Sequence, residues 1–222
     1  MKYIRLYQTT AQQTADANNL VKPYVLYNKE LDNVTYVPIS ITELNETSES
    51  YITPIIDESG STTVYLTRTF SAGSWNSFCV PFAINETEIK TQFGDNARVS
   101  EFTEATSTTL NFSACTNIEA GKPYLLYIPT GAYANKFCFK NVTSFVDKPI
   151  DVIRGSNGNE TIFRGYFHKD IAPKGSYVLS KNLVYHLQKN MTTKAFRAVL
   201  IDSTDTNRGG EWSLNYKNNR FI

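Results

Sequence analysis

The side chains best suited to metal binding or covalent chemistry are scarce in this sequence, which holds two histidines and three cysteines in 222 residues. A metal site needs His, Cys or carboxylate ligands that converge, commonly a few residues apart in the chain. Only His168 and Asp170 are locally paired in this way, and His186 sits in the strand-like run Val184-Tyr185-His186-Leu187. Both histidines therefore read as structural or surface residues, and no metal is expected. Cys79, Cys115 and Cys138 are too few, and odd in number, for a disulfide scaffold. Each lies among apolar or β-forming neighbours, as in Phe137-Cys138-Phe139, so at most one pair can bridge. Buried free thiols fit the sequence, and so does one disulfide with one thiol. No histidine pattern supports any of the three as a nucleophile.

Carboxylates are more plentiful. A glycoside hydrolase needs two of them on facing elements about 5 to 9 Å apart. Glu101, Glu104, Asp147, Asp151, Glu160 and Asp170 are candidates, but none is embedded in a motif. The sequence also lacks a Gly-x-Ser-x-Gly elbow, a phosphate-binding glycine loop and a His-Glu-x-x-His helix. No catalytic residue is named on these grounds and no cofactor is called for. A hydrolase working through paired carboxylates is kept as an alternative.

Aromatic chemistry is better supplied, with 14 Tyr and 13 Phe beside two tryptophans. Sugar rings stack on aromatic faces while amides and hydroxyls meet their hydroxyl groups. Trp75 lies in a run that is apolar on both faces, so it is assigned to the core. Trp212, in Glu211-Trp212-Ser213-Leu214-Asn215-Tyr216 just past a Gly-Gly turn, is a ligand-binding candidate. Tyr133, in Gly131-Ala132-Tyr133-Ala134-Asn135, is the other.

The elements that must position these residues read as strands. Short period-two runs separated by Gly, Pro and Asn dominate the chain, with candidates near 98–102, 108–112, 124–128, 136–142, 161–167, 176–180, 183–188, 195–201 and 211–216. Earlier, Tyr24-Val25-Leu26-Tyr27 and Thr35-Tyr36-Val37 read as an antiparallel pair, with Pro38 marking an edge or bulge. Residues 42–60 are acidic and hydroxyl-rich and read as a linker or long surface loop. Val64, Leu66 and the stem of Arg68 share one face of a strand. In the next run Phe78, Val80 and Phe82 point one way and Trp75, Ser77 and Cys79 the other, so that strand is expected to be central. The predicted core comprises Phe78, Val80, Phe82, Leu125, Phe163, Val178 and Phe196. One helix is predicted near 85–93: Asn85 as N-cap, Glu88 closing a capping box, Ile84 and Ile89 as a staple, and Gly94 ending it in a left-handed conformation. Lys22-Pro23-Tyr24-Val25-Leu26-Tyr27 also echoes Lys122-Pro123-Tyr124-Leu125-Leu126-Tyr127, through repetition or through the shared stereochemistry of a turn entering a Tyr-rich strand.

Bulk charge narrows the partners. Twenty-two basic against twenty-one acidic residues give a formal charge of +1, which supplies no general attraction to nucleic acid. No apolar run reaches the length of a transmembrane segment. Met1-Lys2-Tyr3-Ile4-Arg5-Leu6 lacks the apolar core of a signal peptide, so an exported protein would have to have lost its signal already.

The stretch Phe70-Ser71-Ala72-Gly73-Ser74-Trp75-Asn76-Ser77-Phe78-Cys79-Val80-Pro81-Phe82 resembles a β-rich module of secreted and surface proteins in Bacteroides and related gut anaerobes. Its Trp-Asn-x-x-Cys-x-Pro-Phe pattern is followed by further landmarks: Phe93-Gly94, Ala120-Gly121-Lys122-Pro123-Tyr124, Phe163-Arg164-Gly165-Tyr166, Gly175-Ser176-Tyr177 and Arg197-Ala198. The likeness spans about residues 62–201. It implies an extracellular or cell-surface location and carries no enzyme chemistry, so no catalytic residues transfer.

Together these readings predict an all-β fold, an antiparallel β-sandwich or jelly-roll-like unit with one short helix. Residues 1–60 form an N-terminal β segment and 61–222 the main domain. The expected function is a non-catalytic extracytoplasmic module for adhesion or carbohydrate binding, its partner a glycan or surface protein. A structural spacer in a larger surface protein is the alternative.

Overall fold

The computed structural model describes residues 41–56, 60–106, 109–131, 135–155 and 160–202, together with the backbone of 24–28, 33–37 and 213–217. Among these residues the fold is all-β, with seventeen strands and one short helix. It divides into two compact units that interleave in sequence. Unit 1 is Met1–Leu44, Pro54–Thr67 and Lys136–Ser144; unit 2 is Asn45–Thr53, Arg68–Asn135 and Phe145–Ile222. Both units thus draw on chain before and after residue 60.

In unit 1, β1 (Tyr24–Asn28) and β2 (Asn33–Val37) form the expected antiparallel pair, with Tyr24 opposite Val37 and Asn28 opposite Asn33. Pro38 lies outside the described residues. A three-stranded sheet has the order β3 (Ile41–Asn45), β4 (Thr62–Thr67), β9 (Lys136–Val142). On β4 the expected alternation holds, with Val64 and Leu66 fully buried. β9 bulges between the partners of Thr62 and Val64, and Asn141 takes φ 57° there. Asparagine is among the few residues that visit this region readily. β3 corrects the reading of 42–60 as a loop. Its buried positions are Thr42 and Leu44, and a buried phase carried partly by a polar residue conceals a strand from hydrophobic patterning.

Unit 2 contains two five-stranded sheets. The first runs β17 (Ser213–Lys217), β7 (Thr109–Cys115), β6 (Arg98–Ala105), β8 (Tyr124–Ile128), β5 (Ser74–Phe78). The second runs β10 (Val152–Arg154), β11 (Thr161–Tyr166), β16 (Arg197–Asp202), β13 (Tyr177–Ser180), β14 (Leu183–His186). A two-stranded ladder pairs β12 (Asp170–Ala172) with β15 (Met191–Thr193). The wholly antiparallel expectation fails at one place, because β17 pairs with β7 in parallel. Parallel neighbours need a long connection, and these two strands are distant in the chain.

One core cluster draws on both large sheets: Trp75, Phe102, Leu110, Phe112 and Leu125 from the first, and Val152, Phe163, Tyr177, Ala198 and Leu200 from the second. Each large apolar side chain buried here contributes about 1.5–3 kcal/mol. Six of the seven predicted core residues are at most 2% exposed. Val178 is the exception and is only partly buried. It alternates with Tyr177 and Leu179, so it lies on the opposite face, against Tyr166, Ala172 and Val199.

β5 corrects another expectation. It is the last strand of its sheet rather than a central one, yet all five of its residues are buried. Side chains serve its open edge, since Trp75 N–H donates to Asn182 Oδ1 (2.8 Å) and Ser77 O accepts from Arg68 Nη2, while Ser77 Oγ in turn accepts from Ala198 N–H (3.1 Å). Asn76 closes the preceding turn, accepting from Ser71 N–H (2.9 Å) and donating to the carbonyls of Ser71 and Ser74.

The helix α1 (Glu86–Phe93) has the predicted capping box. Asn85 Oδ1 accepts from Glu88 N–H at 2.9 Å, and Glu88 Oε2 accepts from Asn85 N–H at 3.3 Å. Ile84 and Ile89 are both buried, as a staple requires. Gly94 does have a positive φ, 99°, but its ψ of 153° is extended rather than left-handed helical. A single Gly94 N–H to Lys90 O bond of 2.9 Å closes the end, and the chain leaves extended toward β6.

Candidate functional site

Neither sequence-predicted binding residue can be placed, because Tyr133 and Trp212 both lie outside the described residues. Trp75 is 1% exposed and belongs to the core, as read. His168 and Asp170 approach to 3.9 Å at the surface, and His186 stacks on Tyr177 with ring centroids 4.8 Å apart. The candidate carboxylates go to separate partners. Glu101 pairs with Lys122 (2.8 Å), Glu104 with Asn111 (2.7 Å), Asp147 with Thr53 (2.8 Å) and Asp151 with Arg164 (2.6 Å). Among the described residues no group of three His, Cys, Asp or Glu side chains is placed to hold a metal ion. The cysteines are free thiols. Burial raises the Cys79 thiol far above its ordinary range, and burial with the charge of Glu101 pushes Cys115 up to about 12, so neither ionises near neutral pH.

The Trp-Asn-x-x-Cys-x-Pro-Phe segment meets the landmark residues Gly121 and Gly165, and Phe196, at one buried junction in unit 2. Cys79 N–H donates to Phe196 O (3.3 Å), and its thiol donates to Gly121 O (3.2 Å). Gly165 passes so close that a Cβ there would lie 2.2 Å from Cys79 Sγ. Val80 O accepts from Gly121 N–H, and Pro81 O from Val146 N–H. Arg68 anchors the assembly. It is 0% exposed, donates through Nη1 to Phe196 O and through Nη2 to Ser77 O, and stacks its guanidinium 4.3 Å from the Phe70 ring and 5.0 Å from that of Phe78. Burial, and then the charge of Arg197, lower its pKa well below the usual value. An arginine begins high enough to remain a cation. Phe196 itself has φ 59°, a left-handed conformation costly for a bulky side chain, and these bonds hold it there.

Beside the junction, Glu46 is 5% exposed and bridges Lys194 (2.8 Å) and Arg197 (2.7 Å). Burial opposes its charge, but the hydrogen bond from Lys194 and the charge of Arg197 outweigh that and hold its carboxyl below the usual range. Sequence reading missed Glu46 because nothing marks it within an acidic, hydroxyl-rich stretch. Arg68 did leave a signal, as a charged residue in phase with Val64 and Leu66.

Gly165 also lines a surface depression of about 510 Å³, together with Lys148, Pro149, Ile150, Asp151 and Arg164. Its charged pair is well fixed. Arg164 Nε lies 3.0 and 3.1 Å from the two Asp151 oxygens, and Nη2 lies 2.6 Å from Oδ2. The hydrogen bond to Asp151 raises the Arg164 pKa. Ile150 is 52% exposed beside this pair. The rim is tied to the junction, since Ile150 N–H donates to Gly121 O (2.8 Å) and Lys148 O packs against Gly121. A side chain at Gly121 would meet Val146 at 2.9 Å, and its φ of 79° suits glycine. Asp151 and Arg164 were each visible in the sequence, but nothing there pairs residues thirteen apart. With this geometry in hand, no family model, curated protein or solved structure matches the chain. Among the described residues no helix is long and apolar enough to cross a membrane.

Proposed function

We propose that this chain is a non-catalytic extracytoplasmic module of the kind its Trp-Asn-x-x-Cys-x-Pro-Phe segment resembles, binding saccharide for adhesion or glycan capture at the cell surface. Its frame is a β-sandwich, in which the two five-stranded sheets of unit 2 enclose the shared core; that common cluster supports the reading. The observation that carries the function is the depression at Asp151 and Arg164, where donors and acceptors held in one geometry lie next to exposed apolar surface. Saccharide sites combine these elements, with planar polar groups meeting ring hydroxyls and apolar surface meeting the C–H face. A glycan array tests it. The protein should retain one related group of saccharides, and Arg164→Ala should release them without moving the melting temperature. Trp212→Ala and Tyr133→Ala form a second arm, expected to weaken the same binding.

A spacer role is the second reading, favoured by the junction, where the motif residues are spent on packing and backbone hydrogen bonds. An empty array, with all three variants behaving as wild type, would leave the spacer standing.

A further inference from the structure

We infer that the depression selects saccharides bearing a carboxylate, with Arg164 and Lys148 as the groups that read the acid. The inference rests on the saccharide reading above and specifies the ligand of that same site.

A guanidinium offers two flat edges for paired hydrogen bonds, one formed by Nε and Nη2 and the other by Nη1 and Nη2. Asp151 occupies the first, through Nε and Nη2. Nη1 meets no acceptor among the described residues, which leaves the second edge unspent on a side chain that lines the depression. That edge matches a carboxylate in width and direction, whereas a lone hydroxyl uses only half of it. Asp151 meanwhile keeps the guanidinium plane from turning, so little rotational freedom is lost on binding.

The charge balance points the same way. Asp151 neutralises one of the two cations, and Lys148, exposed on the rim, has no ion-pair partner among the described residues. The lining residues therefore carry two positive charges against one negative, with the carboxylate of Asp170 also acting on Arg164 from outside the lining, on a chain whose overall charge gives no general pull on anions. The apolar part of a sugar acid also finds a surface in Ile150 and Pro149. Binding at the rim meets a fixed frame, because Gly121 and Pro81 hold the 146–150 segment through main-chain hydrogen bonds.

The test uses the full chain with three probes at low salt: oligogalacturonate, the same oligomer fully methyl-esterified, and dextran sulfate. The ester keeps every ring and hydroxyl and replaces each carboxylate by an uncharged methyl ester. Oligogalacturonate should bind, with the ester and the sulfate at least roughly tenfold weaker. Arg164→Lys, which keeps the charge and loses the flat edge, should weaken oligogalacturonate binding roughly tenfold. Lys148→Ala should weaken it by less, and Arg154→Ala, outside the depression, should leave it unchanged. Equal binding of acid and ester, lost in Arg164→Ala, overturns the acid preference and leaves the saccharide reading intact. Equal binding of dextran sulfate reduces the site to a general cation patch and overturns the inference. Failure of all three probes overturns it as well, and the glycan array then decides separately whether any saccharide binds.

Discussion

Arg68 and Arg164 lie in two neighbouring regions of unit 2 and use the same functional group in opposite ways. At the junction, the Arg68 guanidinium is sealed from water, with its Nη groups on two carbonyls and its face on aromatic rings. In the depression, Arg164 is 41% exposed, and one carboxylate holds it along one edge only. A cation whose contacts are spent inside the fold is architecture. One fixed by part of its surface, with the rest facing solvent, can meet a ligand. Gly165 is common to the two regions, since it abuts Cys79 and lines the depression.

The comparison is broken most severely at Arg68. Arg68→Met should take the guanidinium donor from the Ser77 carbonyl and leave the Phe196 carbonyl with Cys79 N–H alone, and each buried orphan costs about 1–3 kcal/mol. Denaturant unfolding should show a loss of about 3–5 kcal/mol, with Arg68→Lys losing less. An unchanged midpoint would refute the junction as the anchor. Gly165→Ala comes next. Its new Cβ has to displace the Cys79 side chain, at a cost of about 1–3 kcal/mol. Cys79→Ala in the same chain should recover part of that, because it removes the 2.2 Å contact and leaves the one at 2.7 Å to Cβ.

Glu46 sharpens the contrast through pH. Its folded pKa is depressed, so its charge stabilises the fold above the unfolded carboxyl value of about 4.3, and this contribution fades as pH falls through the lower folded value. Glu46→Gln should cost about 1–3 kcal/mol at pH 7, since both cationic partners keep contact with water. The variant should also lose that part of the acid-induced decline, as melting temperatures between pH 2 and 7 would show. The smallest change in stability belongs to Arg164→Gln. An exposed pair contributes about 0–1 kcal/mol, so its melting temperature should hardly move while saccharide binding falls.

These regions were legible in the sequence to different degrees, for a physical reason. The capping box of α1 is satisfied within four residues, so Asn85 and Glu88 announce it locally. Phe78, Val80 and Phe82 are fully buried as their alternation predicts, but the opposite set, Trp75 and Cys79, is buried too. The pattern therefore gave burial without locating β5 at the end of its sheet. β3 hid because Thr42 takes an inward position. The Asp151–Arg164 pair is made by strand register, β10 against β11, which neither residue carries alone. The parallel β17–β7 pairing depends on partners that no local signal links.

The Glu46–Arg197 bond has a consequence in time. Its partners are 151 residues apart in the chain. A ribosome adding roughly 5–20 residues per second needs roughly 8–30 s to deliver the second after the first. Throughout that interval Glu46, in the Asn45–Thr53 segment of unit 2, waits without Arg197. Closing so distant a pair is slow in its own right, because loop entropy is spent before the contact forms. Glu46 therefore gains Arg197 late, after the strands through β15 have been made.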